Sequence, residues 1–463
     1  MQEERYVAIV DFGSSKISLC VCETVNATPA EVLFKEELPS EGISRGNILN
    51  PQKVAAPLKE LIDKAEEQTG LKINEVVANL PRWNVKTLSI SQRNSRNENR
   101  GYINQEEIIS LRDMASDQLR SKLNKNTEIL YGILAQSYST DDFIQVNESE
   151  IIGSSSSFLE GHFIGFIGAK KYKDNIDRVF HELGISACCY EFTPICYPEC
   201  LLRTEEMDRG VALVEIGSEA SSVAIYHKGA LRAYSSFPFA GRVISEDIHT
   251  ECNISEKLAE NIKLGYGFCT PERLQTLSDK TLKIESPSGD YQQLPVKYLS
   301  EIISCRMTEI VNSVMYLIGE SGYADKLRSG IVLSGGGSLI HCCCSLVSNM
   351  TGLPCRIAYP ENFSSPKDNS LQVMLIKSCK NTHINCAIKE EKTLEPALFE
   401  EKEIEVKPQE TAPQEPKKTP VKSQKQAPLF RKIKTAMGSV VNSAGGLFDY
   451  LYDDVKSHPE NDQ

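Results

Sequence analysis

Three glycine-rich turns hold the residues of this 463-residue chain that are spaced for phosphate chemistry. The first is Asp11-Phe12-Gly13-Ser14-Ser15-Lys16, between two apolar strand-like runs. The second, Glu215-Ile216-Gly217-Ser218-Glu219-Ala220-Ser221, stands at the matching place in a second copy of the same pattern. The third is Ser334-Gly335-Gly336-Gly337-Ser338, between a short strand and a helix. Such turns aim backbone N–H groups and hydroxyls at phosphate, and Gly13 permits close approach. Asp11 can hold a hydrated divalent cation such as Mg²⁺, and Glu215 reaches for the same ion one methylene further out. The third turn suits backbone contact with a nucleotide. Each turn alone is ordinary structure; their order defines a cleft between two α/β domains.

The elements that must position these turns follow from hydrophobic periodicity. Strands are expected at Tyr6–Val10, Ile17–Cys22 and Glu31–Glu36, then an amphipathic helix over Pro51–Thr69 and a buried strand at Val76–Leu80. From Gly210 the order repeats, with strands Val211–Ile216, Ser222–Tyr226 and Ala230–Ser236. Helices follow at 242–250 and 255–264, a hairpin at 280–294 around Ser288-Gly289, and a long helix at 296–321. Strand 331–333 runs into the third turn and a helix at 339–351. Residues 82–161 read as an inserted α+β module, with strands 85–91, 128–137 and 142–146 and a helix 105–123 capped by Asn104. The first lobe, 1–81, resumes at 162–195 with buried strand Phe163–Ala169, helix 172–183 and strand 185–190. The second lobe takes 196–238, with a smaller subdomain at 239–312, and 313–388 completes it and returns to the first lobe.

A net charge of −12 with no basic domain argues against a nucleic-acid binder. The first residues lack the basic and long apolar regions of a signal peptide, and no apolar run approaches the ~20 residues that span a bilayer. The fifteen cysteines are expected as reduced, mostly buried thiols. Cys196 and Cys200 have no second pair at metal-ligand spacing, so no structural metal is expected.

From 389 to 427 the composition turns to Glu, Lys, Pro and Gln without apolar periodicity, a disordered tether. Beyond it, over 428–455, apolar residues recur every three or four positions: Leu429, Phe430, Ile433, Met437, Val440, Val441, Leu447, Phe448 and Leu451. Arg431, Lys432 and Lys434 gather at the start of this amphipathic helix, where anionic lipid attracts them. It is too short in unbroken apolar run to span, so it is expected to lie in the membrane surface. Gly438, Gly445 and Gly446 weaken it in water, at roughly 1 kcal/mol each against Ala. A partner-protein groove fits the same face.

The two loops, the third turn, the inserted module, the helix Leu258-Ala259-Glu260-Asn261-Ile262-Lys263 and the tethered tail together resemble FtsA, the bacterial cell-division actin homologue of the actin, Hsp70 and sugar-kinase superfamily. The resemblance covers nearly the whole chain. It implies an actin-like, ribonuclease H-like two-lobed α/β fold whose insert is SHS2-like. It also implies ATP in the cleft, filament formation and binding of the C-terminal peptide of FtsZ, here on roughly 239–312. Attachment of the FtsZ ring to the cytoplasmic face of the membrane at the division site follows, with recruitment of later division proteins.

Residue by residue, Asp11, Gly13, Ser14, Ser15 and Lys16 match the family's first phosphate loop. Glu260 and Lys263 match its adenosine helix, and Gly335, Gly336, Gly337 and Ser338 its adenosine turn. The second loop departs from the family's Asp-Ile-Gly-Gly-Gly-Thr: Gly217 is kept, but Glu215, Ser218, Glu219 and Ala220 stand in for the Asp, two glycines and the Thr. Glu219 is expected to bring a repulsive carboxylate near the polyphosphate. ATP binding without turnover, and no catalytic residue, is the expectation. The alternatives are a PilM-like pilus-assembly actin homologue, which lacks a tail of this type, and a superfamily ATPase or kinase. The kinase reading lacks a carboxylate placed as general base, and an Hsp70-type chaperone would need a β domain after the second half.

Overall fold

The computed structural model describes residues 5–96, 101–270, 279–285 and 291–389. The expected tether from 390 and the amphipathic helix 428–455 lie outside the described residues. Two five-stranded sheets carry the fold. Strands Arg5–Phe12 and Lys16–Val25 are buried along nearly their whole length, as their unbroken apolar runs require of interior strands. The first sheet runs, edge to edge, Thr28–Pro39, Lys16–Val25, Arg5–Phe12, Glu75–Asn79, Ser186–Glu191. Its first three strands form an antiparallel meander and the last two lie parallel.

The second sheet repeats that plan with Ala230–Phe237, Ser221–His227, Val211–Ile216, Ile331–Ser334 and Cys355–Ile357. The registers correspond as well: Asp11 stands opposite Ser18, and Glu215 opposite Ser222. The first and second glycine turns therefore each link the first two strands of a sheet.

Helix Pro51–Thr69 follows from local sequence. The Asn50 side chain caps the Lys53 N–H, Pro51 opens the first turn, and Gly70 closes the helix at a φ of 67°. Its apolar stripe, Val54, Leu58, Leu61, Ile62 and Ala65, is buried. The long helix is Val296–Glu320, and the hairpin is Thr281–Glu285 paired with Tyr291–Pro295; its Ser288-Gly289 turn lies outside the described residues.

The insert is a three-stranded antiparallel sheet, Lys86–Ser95, Phe158–Ala169, Glu128–Ser139, covered by helix Gln105–Lys122. Ile108, Leu111, Ala115 and Leu119 from the helix meet Phe163, Ile90 and Tyr138 in a separate core. This corrects the expected boundary. Phe163–Ala169 is not a resumed framework strand but the second half of the insert's central strand, which begins at Phe158. Nor is 142–146 a strand: only Val146 bridges back, to Tyr138. The expected helix at 339–351 divides into a 3-10 turn, Gly336–Leu339, and a helix, Cys343–Thr351. All fifteen cysteines are free thiols. Among the described residues no helix is long and apolar enough to cross a membrane.

Candidate functional site

The first two glycine turns have one geometry. The Gly13 N–H donates to the Lys16 carbonyl at 3.0 Å, and the Gly217 N–H to the Ala220 carbonyl at 3.1 Å. A Cβ would lie 2.9 Å from the Lys16 oxygen at Gly13 and 2.8 Å from the Ala220 oxygen at Gly217, so the turn itself demands glycine at both places. Buried Asn79 clamps the first loop: its Oδ1 accepts from the Phe12 N–H at 2.7 Å, and its Nδ2 donates to the Phe12 carbonyl at 3.2 Å. Ser14 Oγ accepts from the Gly46 N–H at 2.8 Å, while Ser15 is exposed.

Lys16 joins a cluster at the cleft rim. Its Nζ pairs with Glu37 and, at 3.4 Å, with buried Asp368. Lys35 reaches Asp368 at 2.6 Å and Lys367 reaches Glu37 at 2.8 Å. Burial alone would raise the Glu37 carboxyl, but hydrogen bonds from Lys16 and Lys367 outweigh it and hold Glu37 below the ordinary glutamate range.

The third turn packs on the end of the second loop's strand. Gly335 has a φ of +82°, and a Cβ there would sit 2.4 Å from the Ile216 carbonyl oxygen; at Gly337 one would sit 2.4 Å from Ile216 Cγ2. Gly336 is exposed, and Ser338 Oγ donates to the Gly335 carbonyl at 2.7 Å. Gly241, opening helix Gly241–Cys252, is the point of convergence. A Cβ on it would lie 3.2 Å from the Gly217 carbonyl oxygen, 3.7 Å from Lys263 Nζ and 3.9 Å from Gly337 Cα.

Lys263, on helix Glu256–Tyr266, donates to the Gly241 carbonyl at 2.9 Å, Ser245 Oγ at 2.8 Å and Glu260 at 2.7 Å. Burial pushes its ammonium below the usual lysine value, with Glu260 pulling back. The structure thus brings Gly217, Lys263, Glu260 and the third turn together, with Glu260 and Lys263 engaged with each other.

At the cleft floor the two expected metal carboxylates meet a cation of the chain itself. Arg82 Nη1 lies 2.9 Å from Glu215 Oε1, and donates to Tyr197 Oη at 2.7 Å and Ser370 Oγ at 3.3 Å. Tyr197 Oη donates to Glu215 Oε2 at 2.9 Å, and Ser370 Oγ to Asp11 Oδ1 at 3.1 Å. Burial pushes the Glu215 carboxyl up, opposed by Arg82 and Tyr197. Burial would lower Arg82, but the Glu215 carboxylate, with Tyr197 and Asp11, raises it above the usual arginine value.

Mg²⁺ requires near-octahedral oxygen ligands at about 2.0–2.1 Å. Both Glu215 oxygens are committed to Arg82 and Tyr197, and a guanidinium stands beside the pair. This donor set does not fit a divalent ion held between Asp11 and Glu215.

Glu219 also departs from expectation. Its charge is met within the chain: it accepts from Ser44 Oγ at 3.0 Å and the Arg45 N–H at 2.7 Å, and pairs with Arg242 at 2.9 Å. It links the second turn to the hairpin after the first sheet's meander. Sequence reasoning missed Arg82, Tyr197, Asp368 and Ser370. The one local signal was a charged residue directly after Leu80-Pro81, where a buried strand stops at the cleft.

The family model described as "Cell division protein FtsA" matches residues 212–374. The Neisseria meningitidis protein "Cell division protein FtsA" is 26% identical over 373 residues, 79% of this chain and 87% of that one. Its Enterococcus hirae namesake is 26% identical over 355 residues, 77% of this chain and 78% of that one. Over more than three quarters of its length the chain is similar to cell-division proteins of the FtsA family. Its fold is also that of a chain in the solved "PilM-PilN type IV pilus biogenesis complex", with a TM-score of 0.53 at 14% identity, covering 81% of this chain and 98% of that chain. That likeness speaks for the actin-like fold alone. The match at 212–374 takes in the second loop, Glu260, Lys263 and the third turn.

Proposed function

We infer that this FtsA-family chain is an actin-like adaptor of bacterial cell division. It binds ATP in the cleft, polymerises, and binds the C-terminal peptide of FtsZ. It ties that polymer to anionic lipid on the cytoplasmic face of the membrane through 428–455, and recruits later division proteins at the division site. The observation that carries the nucleotide part is the duplicated glycine turn, with the third turn and Lys263 converging at Gly241. Gly13, Ser14, Ser15 and Lys16 on one side and Gly217 and Ser218 on the other are the groups that face phosphate. Glu260, Lys263 and the Gly335–Ser338 turn are those that face the adenosine. Mg²⁺ comes with ATP as the counter-ion on its phosphates, since Glu215 at the floor is already paired with Arg82.

No catalytic residue is assigned: Glu215 is held by Arg82 and Tyr197, which leaves it poorly placed to activate water. The purified chain should therefore bind ATP and release phosphate slowly or not at all. Titration with a fluorescent ATP analogue, followed by phosphate release, checks this. No saturable binding contradicts the nucleotide reading, and rapid turnover contradicts the passive one.

A further inference from the structure

We propose that Arg82 is the resident cation of the cleft floor, a fixed guanidinium that takes the place of a divalent ion between Asp11 and Glu215. Asp11 ends the first strand of one sheet and Glu215 the first strand of the other, at matching positions in the two halves. Two carboxylates so placed are the natural seat of a metal ion in a cleft that binds polyphosphate. Arg82 reaches both: Glu215 directly at 2.9 Å, Asp11 through the Ser370 hydroxyl. The Tyr197 hydroxyl completes the shell on Glu215. Lys16, the other cation beside the first loop, is committed to Glu37 and Asp368.

The arginine is held in place rather than free to swing aside. Its side chain is 23% exposed, its backbone carbonyl accepts from the Tyr234 hydroxyl at 2.9 Å, and its Nη1 also reaches Thr193 Oγ1 at 3.3 Å. A guanidinium is always charged and presents its donors in a fixed fork. Without it the floor would carry two carboxylates and no cation, and such a pair either binds a cation or takes up a proton.

Two consequences follow. The protein alone has no divalent-ion site at this floor, and its affinity for nucleotide depends little on divalent ions. The second rests on the nucleotide reading above; the first does not.

Mn²⁺ binding to the full chain, followed by electron paramagnetic resonance, tests the first. The unaltered protein should show no Mn²⁺ site that Glu215→Gln removes. Arg82→Met should gain such a site, with Mn²⁺ affinity up by about tenfold or more, and adding Glu215→Gln should abolish it. Arg82→Lys, which keeps the charge, should gain none.

A Mn²⁺ site in the unaltered protein that Glu215→Gln removes overturns the proposal, even if Arg82→Met does not fold. So does a folded Arg82→Met protein with no gain. For the second consequence, ATP affinity of the unaltered chain in excess EDTA should lie within about threefold of that in excess Mg²⁺, well under 1 kcal/mol. A loss of about tenfold or more contradicts it. If no nucleotide binds in either condition, the nucleotide reading fails while the Mn²⁺ result still decides the role of Arg82.

Discussion

Glu219 shows how a single side chain can reverse a reading of its own loop. In the family pattern its position is a glycine facing phosphate, so a carboxylate there suggested repulsion. The structure pairs it with Arg242 and with Ser44 and Arg45, where it joins the two halves of the fold. Hydrogen bonds to a charged group contribute roughly 1.5–3 kcal/mol each, less where exposed. Glu219→Ala should therefore lower stability by about 1–2 kcal/mol in urea unfolding; an unchanged midpoint means the bridge contributes nothing.

Glu37 gives a pH signature at the same scale. Its folded-state value is depressed by Lys16 and Lys367, so the stability it adds is complete above the ordinary glutamate range. That contribution is lost as pH falls through the lowered value. Against Glu37→Gln, the unaltered chain should be the more stable at neutral pH, and the difference should vanish under acid. A difference that grows under acid contradicts the assignment.

At the scale of elements, much of the scaffold was legible. Continuous apolar runs mark Arg5–Phe12, Lys16–Val25 and Val211–Ile216 as interior strands, and the glycine turn between them repeats because its hydrogen bond needs glycine at one place. The long helix Val296–Glu320 announces itself by period. The strand Phe158–Ala169 did not, because Glu160, Gly161 and His162 interrupt its apolar run, and only pairing with Lys86–Ser95 and Glu128–Ser139 shows it as one element.

The cleft floor was hidden for a different reason. Arg82 and Ser370 are 288 residues apart, and nothing local links them. The insert has its own core, so its stability should respond to its own residues. Leu111 is fully buried there, and Leu111→Ala should cost about 2–5 kcal/mol. In hydrogen exchange the loss of protection should concentrate in the insert; uniform loss over both sheets would mean that the insert does not unfold as a unit.

At the scale of the whole molecule, the proposed function needs both the cleft and the sequence 428–455, which about 40 residues rich in Glu, Lys, Pro and Gln separate from the second half. Under the proposed function the basic and apolar residues of 428–455 bind anionic lipid. Phe448→Asp should weaken vesicle binding more than Asn442→Asp, because a charge on the apolar face must be drawn into the acyl boundary. Equal losses in a pelleting assay would contradict the face assignment.

The central claim is that this chain holds FtsZ to a membrane. The most direct measurement mixes the full chain and ATP with anionic-lipid vesicles and a fluorescent peptide bearing the C-terminal sequence of FtsZ, then follows the peptide on pelleting. The peptide should sediment with the vesicles when the full chain is present, and stay in the supernatant when residues 429–463 are removed. Peptide left in the supernatant with the intact chain, or sedimenting equally without the tail, contradicts the account.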